Sequence, residues 1–191
     1  MMQGNQRIAV YFVGFLLGML LVSGLMTRRA AREQARADPW VGHNAAMIEA
    51  GAAPLPAAVA GPMAQGRMID YGTLPGAGDP QERVWLLQFE KSYPNVRVLQ
   101  EVGSGELHYM AADQVVVELA PGVDVTALKP MLDQLGLRLR MFNRKERIAV
   151  VGVLHTGIAA VPDTLEAMAP WDEMFVRSEP DWILFKGNGT E

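Results

Sequence analysis

Residues 114–185 constrain the fold most, because their apolar residues switch repeatedly between a spacing of two and helical spacing. Strands are predicted at residues 114–119, 137–142, 147–154 and 175–185. Helices are predicted at residues 125–135 and 164–169. The resulting β-α-β-β-α-β order predicts an α+β domain with both helices on one face of a four-stranded sheet, which is the ferredoxin-like arrangement.

The ends of these elements carry capping and breaking residues. Asp124 and Asp163 are predicted N-caps, and Gly136 is the predicted C-cap of the first helix. Pro130 lies near the first turns of that helix and is expected to kink it. Glu179-Pro180 is predicted to separate two pieces of the last strand.

A hairpin is predicted before this domain. Residues 96–102 alternate well, and residues 106–111 are expected to pair back with them after a tight turn at Gly103-Ser104-Gly105. Residues 84–89 have the composition of a strand, although a short helix running to Ser92 is the alternative.

Residues 41–79 have the composition of a tether. Ala, Gly and Pro dominate and apolar periodicity is absent, so we expect mostly disorder or polyproline-like extension. Residues 44–50 could form a short helix. The turn-forming residues 75–80 are the expected domain boundary.

An uninterrupted apolar run covers residues 8–26 and contains no charge. A helix of this length matches the hydrocarbon thickness of a bilayer. The run is longer than the apolar region of a signal peptide, and Arg28-Arg29 follow it as a stop-transfer flank, so we predict a retained single-pass anchor in the cell membrane.

The arginines predict the orientation of this anchor. Arg7 precedes the run, whereas Arg28, Arg29, Arg32 and Arg36 follow it. The positive-inside rule then places the body of the protein in the cytoplasm, with a periplasmic or extracellular location as the alternative. Gly14 and Gly18 lie on one face of the helix and could pack two such helices into a homodimer, although glycine is also simply common in membrane helices.

Five segments follow from these patterns. They are an anchor with its basic extension (1–37), a linker (38–80), a hairpin extension (81–112), the ferredoxin-like domain (113–186) and a free tail (187–191). The net charge of −4 gives no reason to expect nucleic acid as a partner. The absence of cysteine excludes disulfides and thiolate metal sites.

Several short motifs in the second half match a known pattern. They are the strand 115–119 followed by Pro121-Gly122-Val123, the helix end Leu135-Gly136-Leu137, the strand 148–153, the short helix around 165–168, and the exit Glu179-Pro180-Asp181-Trp182. With these motifs the chain resembles the propeptide-like N-terminal domain of subtilisin-like serine proteases, especially the fervidolysin type. The resemblance covers residues 115–182 of the 191-residue chain.

This resemblance implies a role in binding a protease. Domains of that family pack their helices or sheet against the protease and send the segment after the last strand into its substrate cleft. In this chain the segment is Lys186, Gly187, Asn188, Gly189, Thr190 and Glu191. No Asp, His or Ser block of a peptidase is present in the sequence, so the resemblance implies an inhibitor or folding helper that acts in trans, or a domain that keeps only the fold.

Other residues are weaker candidates for chemistry. His43, His108 and His155 lack metal-ligand spacing, and structural roles are expected for them. Asp172-Glu173 is expected to be a solvated acidic pair. Residues 138–147 hold a basic stretch, which is either a solvated strand face or a contact for an acidic partner or lipid headgroup.

Together these patterns predict a membrane-anchored binding module that is not an enzyme and needs no cofactor or metal. The expected partners are the lipid bilayer and a protein, which the resemblance implies is a subtilisin-like protease. The alternative, which rests on similarity of layout alone, is a structural subunit of a membrane-associated secretion or pilus-type assembly.

Overall fold

The computed structural model of the chain describes residues 23–29, 40–75, 81–90 and 95–185. The chain divides into two units, Met1–Gly42 and His43–Glu191. In the first unit, residues 23–29 are helical. Among the described residues, no helix has the length and apolar character needed to cross a membrane. Most of the predicted membrane run, including Gly14 and Gly18, lies outside the described residues.

The described residues form an α+β structure with one antiparallel sheet, which confirms the predicted class. The strands are β1 (Arg67–Pro75), β2 (Gln81–Gln88), β3 (Val96–Glu101), β4 (Leu107–Leu119), β5 (Leu139–Asn143), β6 (Ile148–Gly152) and β7 (Phe175–Trp182). The α-helices are α1 (Val41–Glu49), α2 (Lys129–Leu135) and α3 (Ala160–Met168). Three 3-10 turns lie at Met63–Gln65, Val125–Leu128 and Ala169–Met174.

The long strand β4 organises the sheet. The order along one path is β1-β2-β3-β4-β6-β5, and β7 pairs with the other edge of β4. The first half of β4 pairs with β3 and the second half with β6, and the change falls where Ala112 N–H donates to Asn95 O and Val153 N–H donates to Asp113 O. The predicted boundary between residues 112 and 113 thus falls inside β4, which continues through that point.

One core lies between the sheet and the helices α2 and α3. Its buried side chains come from both helices and from alternate residues of β4 and β6, so the two helices pack on the same face. These side chains include Val115, Val117, Leu119, Leu128, Met131, Ala149, Val151, Val161 and Met168. We call this group the helix-side core; it also contains Leu99 and Met110 from the first half of the sheet.

The caps of the first predicted helix are confirmed. The Asp124 carboxylate accepts from Thr126 N–H at 2.9 Å, and Gly136 has the left-handed φ of 68° that closes α2. Instead of one helix, residues 125–135 form a 3-10 turn followed by α2. Pro130 lies in the first turn of α2, where its missing N–H costs no hydrogen bond.

Two predicted breaks are wrong. Asp163 does not cap α3, which begins earlier, after Ala159, because Pro162 is tolerated in a first turn. Glu179-Pro180 does not divide the last strand, because β7 runs through Pro180. Among the described strands, β7 pairs with β4 alone. An edge strand needs hydrogen bonds on one side only, so it can accept a proline.

The predicted tether is wrong for its described part. Residues 44–49 lie in α1, as the short-helix prediction expected, but residues 67–75 form strand β1. Residues from α1 to the Met63–Gln65 turn pack on the sheet in a second core. The buried members of this second core are Ala60, Met63, Met68, Trp85, Leu87, Val96 and Val98. The predicted boundary at residues 75–80 falls largely outside the described residues.

Hydrogen bonds hold this irregular segment to the sheet. Trp85 Nε1 donates to Ala53 O at 2.8 Å, and Ala60 N–H donates to the Tyr109 hydroxyl at 2.9 Å. The Asn44 side chain bonds to both the Gly66 carbonyl and the Met68 N–H. These partners are distant in sequence, so composition and periodicity could not reveal them.

Candidate partner-binding surface

The face of the sheet opposite the helix-side core is uncovered by the described helices α2 and α3. Val115 and Val117 point into the helix-side core, so Val116 between them lies on the other face. The strand register places Val150 and Met141 beside it. We call this surface the open face; it is a concavity of about 830 Å³. It is lined by Gln114, Val116, Arg140, Met141, Ile148, Val150 and Asp181.

The centre of the open face is apolar. It consists of Val116, Ile148, Val150 and Met141; Met141 is 56% exposed, Val116 and Ile148 are half-buried, and Val150 is buried. The second core covers this side of the sheet, but only over β1–β3 and the first half of β4. In that half of β4, Tyr109 packs on the second core and Met110 on the helix-side core, so the two cores lie on opposite faces of the sheet. The described elements thus leave an apolar strip at the half of the sheet built by β4, β5, β6 and β7.

A row of polar side chains crosses the sheet at one end of the open face. Arg140 Nη1 donates to Asp113 Oδ2 at 2.8 Å and to Gln114 Oε1 at 3.2 Å. Gln114 Nε2 in turn donates to Asp181 Oδ2 on β7. Gly152 permits this row, because a Cβ there would lie 3.1 Å from Arg140 Nε. The row fixes the orientation of Arg140 at the rim of the apolar strip.

Charged side chains border the other end of the same face. Arg177 Nε donates to Glu118 Oε2 at 3.1 Å, and its Nη1 lies 3.2 Å from Glu179 Oε1. Glu118 and Arg177 are register partners on neighbouring strands. An apolar centre with a polar rim is the usual composition of a protein-binding surface.

The chain beyond β7 is held against the second core. Ile183 N–H donates to Tyr109 O at 2.8 Å, and the Phe185 ring meets the Tyr109 ring edge-on with centroids 5.0 Å apart. Both side chains pack on the second core, whereas Leu184 is 90% exposed. The predicted partner-binding tail, Lys186 to Glu191, begins directly after this anchored segment and lies outside the described residues.

The three histidines lie apart from one another and have local partners. The ring of His43 shares a hydrogen bond with Met68 O at 2.7 Å. His108 lies 3.8 Å from a Glu106 carboxylate oxygen and packs against Trp182. His155 lies 3.6 Å from Asp163. Within the part of the chain that the structure describes, no group of three His, Asp or Glu side chains could hold a metal ion.

The glycine-rich turn between β3 and β4 is a hairpin turn, as predicted. Gly105 N–H donates to Glu101 O at 2.8 Å, and Gly105 has a φ of 74°. The Ser104 hydroxyl donates to the Glu101 carboxylate at 2.8 Å. The acceptor for the Ser104 hydroxyl is thus a carboxylate of the protein itself. The pair Asp172-Glu173 is exposed in a 3-10 turn, as expected for a solvated loop.

The basic stretch is the β5–β6 hairpin, residues 138–147. It holds five basic residues and one acidic residue. They are Arg138, Arg140, Arg144, Lys145, Arg147 and Glu146. Sequence alone identified this charge but not the polar row, because only the sheet register brings Arg140, Gln114 and Asp181 together. The sequence signal for this row was Gly152 at a strand end, because a glycine in a strand can mark a close approach of another group to the backbone.

One buried charge lies away from the open face. Arg97 is 4% exposed; its Nε donates to Ile158 O at 3.0 Å and its Nη1 lies 3.1 Å from the Met110 sulfur. Burial lowers the pKa of the Arg97 guanidinium, and the Glu82 carboxylate opposes that shift. Arg97 thereby connects β3 to the loop before α3, which is a structural role.

Comparison of the chain with protein family models, with curated proteins and with solved structures finds no match.

Proposed function

We propose that the chain is a membrane-anchored, non-enzymatic protein-binding module whose second half is a ferredoxin-like βαββαβ domain. The strand order β5-β6-β4-β7, with α2 and α3 on one face, supports that topology. The observation that carries the binding role is the open face. An apolar strip with a charged rim gains free energy when a partner removes it from water.

The resemblance suggests the partner, a subtilisin-like serine protease that the module inhibits or helps to fold in trans. The open face is the side of the sheet that such a protease would contact. The tail Lys186 to Glu191 would enter the substrate cleft as an added extended strand. The arginine-based orientation would put this protease in the cytoplasm, and a reporter fused to the C-terminus would test that location.

The test is inhibition of peptide hydrolysis by the purified 191-residue chain. We expect slowed hydrolysis, a large loss of inhibition on deletion of residues 186–191, and a large loss on Met141→Glu, which puts a charge into the apolar strip. Val102→Glu is the matched control, since Val102 is 46% exposed in the other hairpin. Intact activity of the protease at saturating protein would overturn the assignment of this partner.

The anchored exit favours the second candidate, a structural subunit of a membrane-associated assembly. Ile183 and Phe185 pack on the chain's own second core, so the chain leaves β7 along the sheet rather than away from it. In this role the open face would bind another subunit. Copurification of a multiprotein envelope complex would favour it, and a strictly monomeric protein in detergent would count against it.

A further inference from the structure

Strand β5 is an edge of the sheet. Among the described strands it pairs with β6 alone. Leu139 is 39% exposed and Met141 is 56% exposed. An edge strand has backbone N–H and C=O groups free to pair with another extended segment. The outer edge of β5 therefore offers main-chain hydrogen bonds that the described fold does not use.

A bulge in β5 places apolar surface on both sides of this edge. Leu139 pairs with Val151 but Met141 pairs with Val150, so Arg140 is the extra residue. In a regular strand, Leu139 and Met141 would share one face. Here Met141 lines the open face, whereas Leu139 lines a separate concavity of about 330 Å³ beside α2. That concavity is lined by Val125, Thr126, Lys129, Leu132, Asp133, Leu137 and Leu139.

An added strand would use both concavities. Successive side chains of a strand point to opposite faces of a sheet, so alternate residues would enter the space beside Leu139 and the space beside Met141. In such pairing the main-chain bonds give affinity and the pockets for alternate side chains give specificity.

The charge of the hairpin selects the occupant. Arg138 and Lys145 are exposed, and no ion-pair partner is found for either among the described residues. The whole chain has a net charge of −4, but this hairpin holds five basic residues and one acidic residue and is therefore locally positive. A second copy pairing through β5 would place arginines opposite arginines, which is unfavourable. An acidic segment would meet charges of opposite sign.

We propose that the free edge of β5 pairs with an extended acidic segment of a protein partner. This inference rests on the proposed protein-binding function and names the chemistry of the partner.

The probe is a blocked nine-residue peptide, EEVTVTVEE, labelled for fluorescence anisotropy and titrated into the 191-residue chain in detergent. We expect binding that weakens with salt, with slowed hydrogen exchange at the β5 backbone amides. The variant Arg138→Glu/Lys145→Glu should bind about tenfold more weakly or worse, because two favourable contacts become repulsive. Arg83→Glu, an exposed arginine on β2, is the matched control and should bind normally.

Two control peptides separate strand pairing from charge. KKVTVTVKK should fail to bind, and the acidic peptide with N-methylated central residues should bind at least about tenfold more weakly because its central donors are lost. Equal binding of the acidic and basic peptides, or unchanged exchange in β5, overturns the proposal. So does charge-dependent binding to phosphatidylserine vesicles without peptide binding, which would make the hairpin a lipid contact.

The protease assay separates this proposal from the proposed function. Inhibition by the wild-type chain without binding of the acidic peptide would remove strand pairing alone. If the acidic peptide binds but Met141→Glu does not change protease inhibition, the open face is not the binding surface, whereas pairing at the β5 edge still stands.

Discussion

Single residues set two features of this fold, a buried cation and a helix cap. Arg97 lies in the sheet with its guanidinium directed at a loop carbonyl and a methionine sulfur. Asp124 starts the helical segment through bonds from the N–H and hydroxyl of Thr126. A substitution at either residue should change the stability of the fold by a measurable amount.

The loss of stability on replacing Arg97 should depend on the volume of the new side chain. Arg97→Ala should lower the free energy of unfolding by about 2–4 kcal/mol, because it leaves a cavity and an unpaired Ile158 carbonyl. Arg97→Met should cost less, since an apolar side chain of similar length avoids burying a charge. Urea unfolding measures both; an equal or larger loss for Arg97→Met would contradict the structural role.

The Asp124 cap should make stability depend on pH in the acid range. The backbone N–H of Thr126 and then its hydroxyl lower the pKa of Asp124 below its ordinary value of 3.8. A carboxylate with a lowered folded-state pKa stabilises the fold above the unfolded-state value, and that contribution is lost as the pH falls through the folded-state pKa. Asp124→Ala should therefore lower the Tm at neutral pH.

The difference in Tm between Asp124→Ala and wild type should shrink below about pH 4. Thr126→Val, which removes the hydroxyl but keeps the N–H bond, should show a smaller difference with the same sign. A difference that stays constant down to strongly acid pH would show that the carboxylate does not act as a charged cap.

Whole elements were predictable where periodicity is local. The alternating residues of β3 and of the second half of β4 gave strands, and Asp124 and Gly136 correctly marked a helical segment. β1 was missed because its stabilising contacts come from β2 and the second core rather than from its own pattern. The bulge at Arg140 was missed because a strictly alternating sequence contains no sign of it.

The segment before β1 should behave as part of the fold. Met63 is 7% exposed in the second core, so Met63→Ala should lower the free energy of unfolding by about 2–5 kcal/mol. Met141→Ala is the matched control and should cost at most about 0.5 kcal/mol, because Met141 is largely exposed. Equal small effects in urea unfolding would mean that residues 43–66 do not contribute to the core.

At the scale of the second unit, one strand joins two cores. β4 contributes Val115, Val117 and Leu119 to the helix-side core, and Tyr109 packs on the second core. Separate folding of the two halves would require β4 to break between Ala112 and Asp113, where its neighbours change but its backbone continues. The open face is the part of the sheet surface that neither core covers.

The two cores should unfold together. Urea midpoints from Trp85 fluorescence, in a chain whose other tryptophans are replaced by Phe, should coincide with those from the methyl signals of Val117 and Met131. Separate midpoints would show that the two halves unfold independently, as the predicted boundary between residues 112 and 113 implies.

The most direct test of the binding role is methyl NMR of the 191-residue chain with a subtilisin-like protease whose nucleophile has been replaced. We predict that the methyl signals of Val116, Met141, Ile148 and Val150 shift or broaden, while those of Val98 and Met131 in the two cores stay in place. Unchanged signals on the open face at saturating protease, or changes confined to other surfaces, would contradict the account.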